Sequence, residues 1–447
     1  MNVLLICLDT LRWDALGCYG STWVQTPAID AYAARAQRFT AAYCGSFPTV
    51  PMRVDAYTGD VNWPRYGWRA PDATQPKLPA LLRRAGYRTG LVLDTENNVG
   101  AGLHTFYDEY QLIRKDVLDG VRPADIPLPV PAAHIRNAGS LYRTDRANWS
   151  HYRHEEDWFV ARTMRTASRW LETAARRAEP WFLWVDSFEI HEDYMPPRHY
   201  VELYDPGYDG PDYTYPNYGD SDVYTPAALK HLRACYAGEV TLTDRWVGHL
   251  LRTVELLGLF ANTTVILTSD HGMYLGEHGR CGKHTVDKDD PWPLYDTVAR
   301  VPLLVWSPLA AGPGTVGALV QAADLMPTVL DVCGVPPPDG ARVGRSWAPA
   351  LRGAATGSGH ERVYTSFNGE HWGMPSHLTV TTPTHTALFG RAPHQPELYD
   401  RRCDPEQMHN VAAAHPDLVA ALRADLVAFM QAQGASADYV RRYALGQ

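Results

Sequence analysis

No run of about 18 apolar residues occurs anywhere in this chain of 447 residues, so the sequence offers no transmembrane helix. No secretory leader is expected either. Such a leader needs a basic start, an apolar stretch and a small-residue cleavage site, whereas the apolar run at residues 3–8 begins at once and ends on Asp9. Cysteine is sparse: Cys7, Cys18, Cys44, Cys235, Cys281, Cys333 and Cys403 are odd in number and scattered, without the paired spacing of a metal knuckle or a disulfide framework. These features point to a reducing cytoplasm and no membrane partner. Positive charge is in deficit, with 41 Lys and Arg against 50 Asp and Glu and a net charge of -9, which argues against nucleic acid as an obligate partner. No internal repeat is evident.

What remains is a globular composition, 45% hydrophobic and 20% charged, on a chain longer than one typical core. Apolar strand-like runs alternate with amphipathic helical stretches, the pattern of a parallel sheet covered on both faces. Strands are expected at residues 3–8, 89–93, 181–185 and 264–267, and helices at 28–37, 78–85, 158–178 and 229–257. Residues 196–226, rich in Tyr, Pro, Asp and Gly, read as a solvated surface insertion whose aromatics could line a pocket. Beyond residue 355 come short β-like runs at 363–367, 377–381 and 386–389, then a last helix at 416–433.

In open α/β sheets, functional groups gather beyond the carboxyl ends of the strands. Asp9, Asp186 and Asp270 each follow an expected strand. A carboxylate at one strand end with adjacent Asp270 and His271 at another supplies hard oxygen and borderline nitrogen ligands for a divalent ion. An imidazole ligand favours manganese, zinc or iron over calcium.

Six segments, in order, sharpen this reading: MNVLLICLDTLRWDALGCYG, TPAIDAYAARAQRFTAAYC, YCGSFPTVPMRVDAYTG, FLWVDSFEIHEDYMPP, VILTSDHGMYLGEHGRCGKHT and ELYDRRCDPEQMHNVAAAHPDL. Together they resemble the sulfatase-like branch of the alkaline phosphatase superfamily. The resemblance implies a large mixed, mainly parallel sheet sandwiched by helices, with a smaller C-terminal α+β subdomain. Residues 1–354 would form the catalytic α/β domain and 355–447 the subdomain. The second segment resembles the family's first helix leading to the nucleophile.

The same resemblance implies one divalent metal, with Mn or Zn favoured over Ca, on Asp9, Thr49, Asp270 and His271. It also implies catalytic roles for Thr49, Arg53, His191 and Lys283. Arg53 would hold the nucleophile and the charges of the attacked group; His191 or Lys283 would contact that group or protonate the leaving oxygen. His284 is a further substrate-binding position, and His278 reads as a structural histidine.

The chain departs from the sulfatase pattern twice. Sulfatases carry C-x-P-x-R, whose cysteine is oxidised to formylglycine; here Thr49-Val50-Pro51-Met52-Arg53 cannot be. A threonine hydroxyl can attack phosphorus directly once a metal lowers its pKa. Where sulfatases place a basic G-K-W-H segment, residues 93–98 read LDTENN. Asp94 and Glu96 then form surface turns or pair with arginines, while Thr95 and Asn97 hydrogen-bond a less charged transferred group. With Asp270-His271 where many sulfatases have Asp-Asn, the pattern looks closer to the phosphonate monoester hydrolase and phosphodiesterase branch. The expectation is a metal-dependent hydrolase acting on a small-molecule ester, with room for a homo-oligomer. Sulfate ester hydrolysis, transfer to an alcohol and a non-catalytic binding protein stay open as alternatives.

Overall fold

Eight strands form the large sheet of the computed structural model, in the spatial order Gly314–Gln321, Gln37–Tyr43, Arg300–Trp306, Thr263–Ser269, Asn2–Leu8, Trp181–Ser187, Arg88–Leu93 and Glu109–Leu112. The structure describes residues 1–113, 125, 128, 152–284, 292–340, 342–353, 359–367, 377–390 and 394–444. Arg300–Trp306 pairs antiparallel with both of its neighbours, and every other pairing in this sheet is parallel. The sheet is thus mixed and mainly parallel, as expected.

The central strand Asn2–Leu8 shows why both faces are covered. Its residues alternate sides: Leu4, Ile6 and Leu8 enter a core shared with the helices Pro27–Ala33, Phe159–Ala174 and Pro226–Leu256. Val3, Leu5 and Cys7 enter a second core with Thr49–Thr58, Leu78–Arg84 and Leu325–Cys333. A strand buried on both faces must be apolar throughout, which is why it was legible as one unbroken run. No helix among the described residues is long and apolar enough to cross a membrane.

The C-terminal strands Glu397–Asp400, His385–Phe389, Leu378–Thr381 and Val363–Phe367 form a second sheet, which ends on Ser46–Phe47 of the N-terminal half. The helices Pro416–Ala432 and Ala437–Ala444 share its core with Val61 and Trp63. This α+β unit is therefore fastened directly beside Thr49.

Three expectations need correction. The helix over residues 28–37 stops at Ala33, and Gln37–Tyr43 is a strand. Its place between two other strands overrides the helical preference of its alanines. The strands Arg300–Trp306 and Gly314–Gln321 also went unanticipated. Residues 196–226 are not a solvated loop: Tyr200, Tyr204, Tyr213, Tyr215, Tyr218 and Tyr224 are buried in the first core. Gly219–Asp220 pairs with Arg280–Gly282, which brings this segment over Lys283.

Candidate active site at the carboxyl ends of the central strands

Asp9 and Asp270 directly follow Leu8 and Ser269, which stand in register on neighbouring strands. Asp186 lies beside them, since Cys7 is in register with Asp186. All three carboxylates are fully buried. Thr49, also buried, opens the helix Thr49–Thr58, and Phe47 just before it packs its ring on His271 with centroids 4.7 Å apart.

Arg53, one turn into that helix, binds the three carboxylates together. Its Nε and Nη2 donate to the two oxygens of Asp186 at 2.8 and 2.6 Å, and Nη2 also reaches Asp9 Oδ2 at 3.5 Å. Its Nη1 donates to Asp270 Oδ2 at 2.7 Å and to the Thr49 carbonyl at 2.9 Å. A guanidinium has five N–H donors, and these five bonds use them all. Arg53 therefore fastens the start of the helix Thr49–Thr58 to the carboxylates, and in this arrangement has no donor left for a further group.

His271 presents one ring nitrogen toward the carboxylates. Its Nδ1 lies 2.9 Å from the Gly272 carbonyl, which can only accept, so Nδ1 carries the proton and Nε2 presents a lone pair. Nε2 is buried without a hydrogen-bond partner, 3.7 Å from Asp270 Oδ2 and 4.0 Å from Asp9 Oδ1. Burial pushes the imidazole pKa down to about 4, which keeps the ring neutral. Gly272 is required here, because a Cβ would lie 2.1 Å from the Thr297 carbonyl oxygen.

The charges agree with a divalent ion. Among the described residues, Asp9, Asp186, Asp270 and Glu192 pair with two buried cations, Arg53 and Lys283, an excess of carboxylate over cation. Burial and the neighbouring Asp270 push the Asp9 pKa up, whereas Asp270, against the cost of burial, is held low by His271 and Arg53. A carboxylate pair that would otherwise retain a proton is suited to a cation. Ligand atoms of Asp9, Asp270 and His271 lie within 4.8 Å of one another.

Lys283 lies 3.2 Å from Glu192 Oε2 and 4.0 Å from Asp9 Oδ1, with its buried Nζ making no hydrogen bond. His191 stacks on Phe188 at 4.0 Å, and its Nδ1 donates to the Glu192 carbonyl at 2.7 Å. Burial outweighs the nearby Glu192 carboxylate and drives the His191 pKa down to about 3. The ring is therefore neutral near pH 7, with Nε2 an acceptor. His284 is half-buried, stacked on Phe367 and edge-on to Tyr218. His278 stacks on Tyr295 at 3.8 Å, in keeping with a structural role.

The segment 93–98 differs from expectation. Asp94 is in no surface turn and pairs with no arginine: it is buried and accepts from Thr163, Ser187 and the Phe188 amide, its pKa raised to about 6 by burial. Thr95 caps the helix Glu96–Gly100 by accepting from the Asn97 amide, and Asn97 is half-buried on that helix. Asn98, which sequence reasoning passed over, donates to Asp186.

Three more residues escaped the sequence reading. Glu192 accepts from Tyr218 and faces Lys283; its signal was only a second acid after His191. Tyr218 lay in the segment read as a loop. Thr10 has φ of 64°, rare for a branched residue, which aims its amide at Asp270 Oδ1 at 3.0 Å while its hydroxyl donates to Asp9. No residue pattern announces such a backbone.

The sulfatase family model matches residues 1–335, three quarters of the chain. The chain belongs to the sulfatase family. A second model, the C-terminal region of N-sulphoglucosamine sulphohydrolase, matches residues 282–432. Arylsulfatase K from Bos taurus is 22% identical over 463 residues, covering 94% of this chain and 80% of its own length. The phosphonate monoester hydrolase of Agrobacterium radiobacter superposes with a TM-score of 0.74 at 22% identity, over 97% of this chain and 96% of its own. A 2-O GAG sulfatase reaches a TM-score of 0.74 at 20% identity, over 98% and 93% of the two chains. At these identities the solved structures establish the fold alone. This sulfatase-family protein is an ester-hydrolysing enzyme of a metal-dependent family, and Asp9, Asp270 and His271 fit a divalent cation.

Proposed function

We propose that this member of the sulfatase family hydrolyses phosphodiesters or phosphonate monoesters through a covalent intermediate on Thr49. The observation that carries the reading is Thr49 itself, at the head of a buried helix fastened by Arg53 to Asp270, in the position where the family has its oxidisable cysteine. A divalent ion on Asp9, Asp270 and His271, of the manganese or zinc type, would acidify the Thr49 hydroxyl and neutralise charge on the transferred group.

The chain's own residues supply the rest. The Thr49 oxygen attacks phosphorus, the bond to the leaving oxygen breaks, and Lys283 Nζ is the donor placed to assist it. His191 is neutral, with its Nδ1–H donating to the Glu192 carbonyl, and its Nε2 serves as an acceptor. Water then attacks phosphorus and frees Thr49. A sulfated threonine lacks the second hydroxyl by which hydrated formylglycine expels sulfate, so the same site is poor for sulfate esters. Segment 93–98 brings no cation, which suits a monoanionic group with Thr95, Asn97 and His284 along the binding surface.

The relatives and the fold also include sulfatases, and one comparison separates the readings. Metal-loaded protein is assayed with an aryl phosphodiester, a phosphonate monoester and a sulfate monoester that share one leaving group. Higher kcat/KM for the phosphorus esters is expected. A clear preference for the sulfate ester restores sulfatase chemistry.

A further inference from the structure

The long helix Pro226–Leu256 carries a second convergence of metal-ligating side chains. His231 and Cys235 lie one turn apart on it, and Asp212 meets them from the tyrosine-rich segment, with the ligand atoms of all three within 4.8 Å of one another. Among the described residues, no hydrogen bond or ion pair joins this group to Asp9, Asp270 or His271.

The spacing is that of a coordination shell. Cys235 Sγ lies 3.6 Å from His231 Nε2 and 4.0 Å from Asp212 Oδ1, and Nε2 lies 3.3 Å from that same oxygen. A tetrahedral ion with bonds of about 2.3 Å to sulfur and about 2.0 Å to nitrogen and oxygen holds the S···N, N···O and S···O pairs at about 3.5, 3.3 and 3.5 Å. Two of the three separations match, and the third needs only a small swing of Asp212, which is half-exposed at the rim.

The second contact of His231 orients its ring. Nδ1 faces Asp205 Oδ2 at 3.3 Å, Lys230 pairs with the other Asp205 oxygen, and Tyr208 stacks on the ring at 3.8 Å. With the proton on Nδ1, the Nε2 lone pair points at a carboxylate oxygen and a sulfur. The ligand atoms of all three residues then converge, and a cation between them takes the place of the Cys235 thiol proton. A carboxylate orienting a histidine from behind is the usual support of a zinc ligand. His231 and Cys235 are buried, while Asp212 leaves a route for an ion from solvent.

We propose that Asp212, His231 and Cys235 form a second divalent-cation site of zinc type, completed by water, which ties the tyrosine-rich segment to the long helix. Binding releases the Cys235 thiol proton to solvent, and the thiolate selects zinc or cobalt over magnesium or calcium. The same segment carries Tyr218, the partner of Glu192, so the ion would steady one wall of the catalytic site.

Titrating Co2+ into the metal-depleted full-length protein tests this. Sulfur is absent from the Asp9, Asp270 and His271 cluster, so a thiolate-to-cobalt charge-transfer band in the near ultraviolet reports the second site alone. The band is expected to saturate at one equivalent in the wild type, to persist in Asp270→Ala, to vanish in Cys235→Ser and to be displaced by zinc. His231→Gln should lose one equivalent of bound zinc. Absence of the band in the wild type at saturating cobalt overturns the proposal and leaves His231 as a bridge between two aspartates. A band of full strength in Cys235→Ser overturns it equally.

Discussion

Arg53 directs all five N–H donors at groups of its own chain, so its effect on chemistry runs through Asp9, Asp186, Asp270 and Thr49 rather than through the substrate. Lysine keeps the charge but cannot reproduce the planar fork. Arg53→Lys should lower the thermal midpoint and the metal retained after dialysis, because breaking a fully buried ion pair typically costs about 3–5 kcal/mol. An unchanged midpoint with full metal content would mean that the carboxylates are held by something else. Sequence motifs made Asp9, Thr49, Arg53, Asp270 and His271 legible because Asp9, Asp270 and His271 follow strand ends and Thr49 opens the helix that carries Arg53 one turn on. Thr10, Asn98 and Glu192 were not, since their places depend on a positive φ, a short helix and a fold-over of the tyrosine-rich segment.

Elements position the site through buried polar anchors as well as apolar faces. On the helix Pro226–Leu256, Tyr236 bonds the Thr10 carbonyl and the Arg12 amide, while Glu239 accepts the Met195 amide at 2.9 Å. Burial pushes the Glu239 pKa up to about 8. The native state thus keeps a proton that the unfolded chain loses near its ordinary carboxyl pKa. Stability from this group is complete below about pH 4, falls as pH rises and is lost by about pH 8. Glu239→Gln should flatten that part of the decline in melting temperature between about pH 5 and pH 8. Parallel pH curves for wild type and variant would show that Glu239 titrates normally. Doubly buried strands such as Trp181–Ser187 were readable as apolar runs, whereas Gln37–Tyr43, with its alanines and glutamine, takes its form from its neighbours.

Across the whole molecule, the large sheet, the C-terminal sheet and the tyrosine-rich segment meet around one cluster of buried carboxylates. A ligand that binds only the native state stabilises it in proportion to its occupancy. Chelation should therefore lower the melting temperature of the wild type by several degrees, and that of Asp270→Ala by distinctly less. Equal shifts in both would place the stabilising ion elsewhere. The small sheet reaches Ser46–Phe47, which explains how a C-terminal unit recognisable in the sequence comes to brace the nucleophile, a pairing that no local pattern reveals.

The central claim is that Thr49 is the nucleophile, and the intermediate itself is the most direct test. Metal-loaded protein is mixed with a phosphonate monoester bearing a fast leaving group, quenched on the millisecond scale and analysed by peptide mass spectrometry. The account predicts a phosphonyl adduct on Thr49 that forms with the burst of leaving group, disappears on turnover and is absent in Thr49→Val, whose activity falls by roughly 10⁴-fold or more. No adduct on Thr49, together with near-normal turnover by Thr49→Val, would contradict it and assign the attack to water.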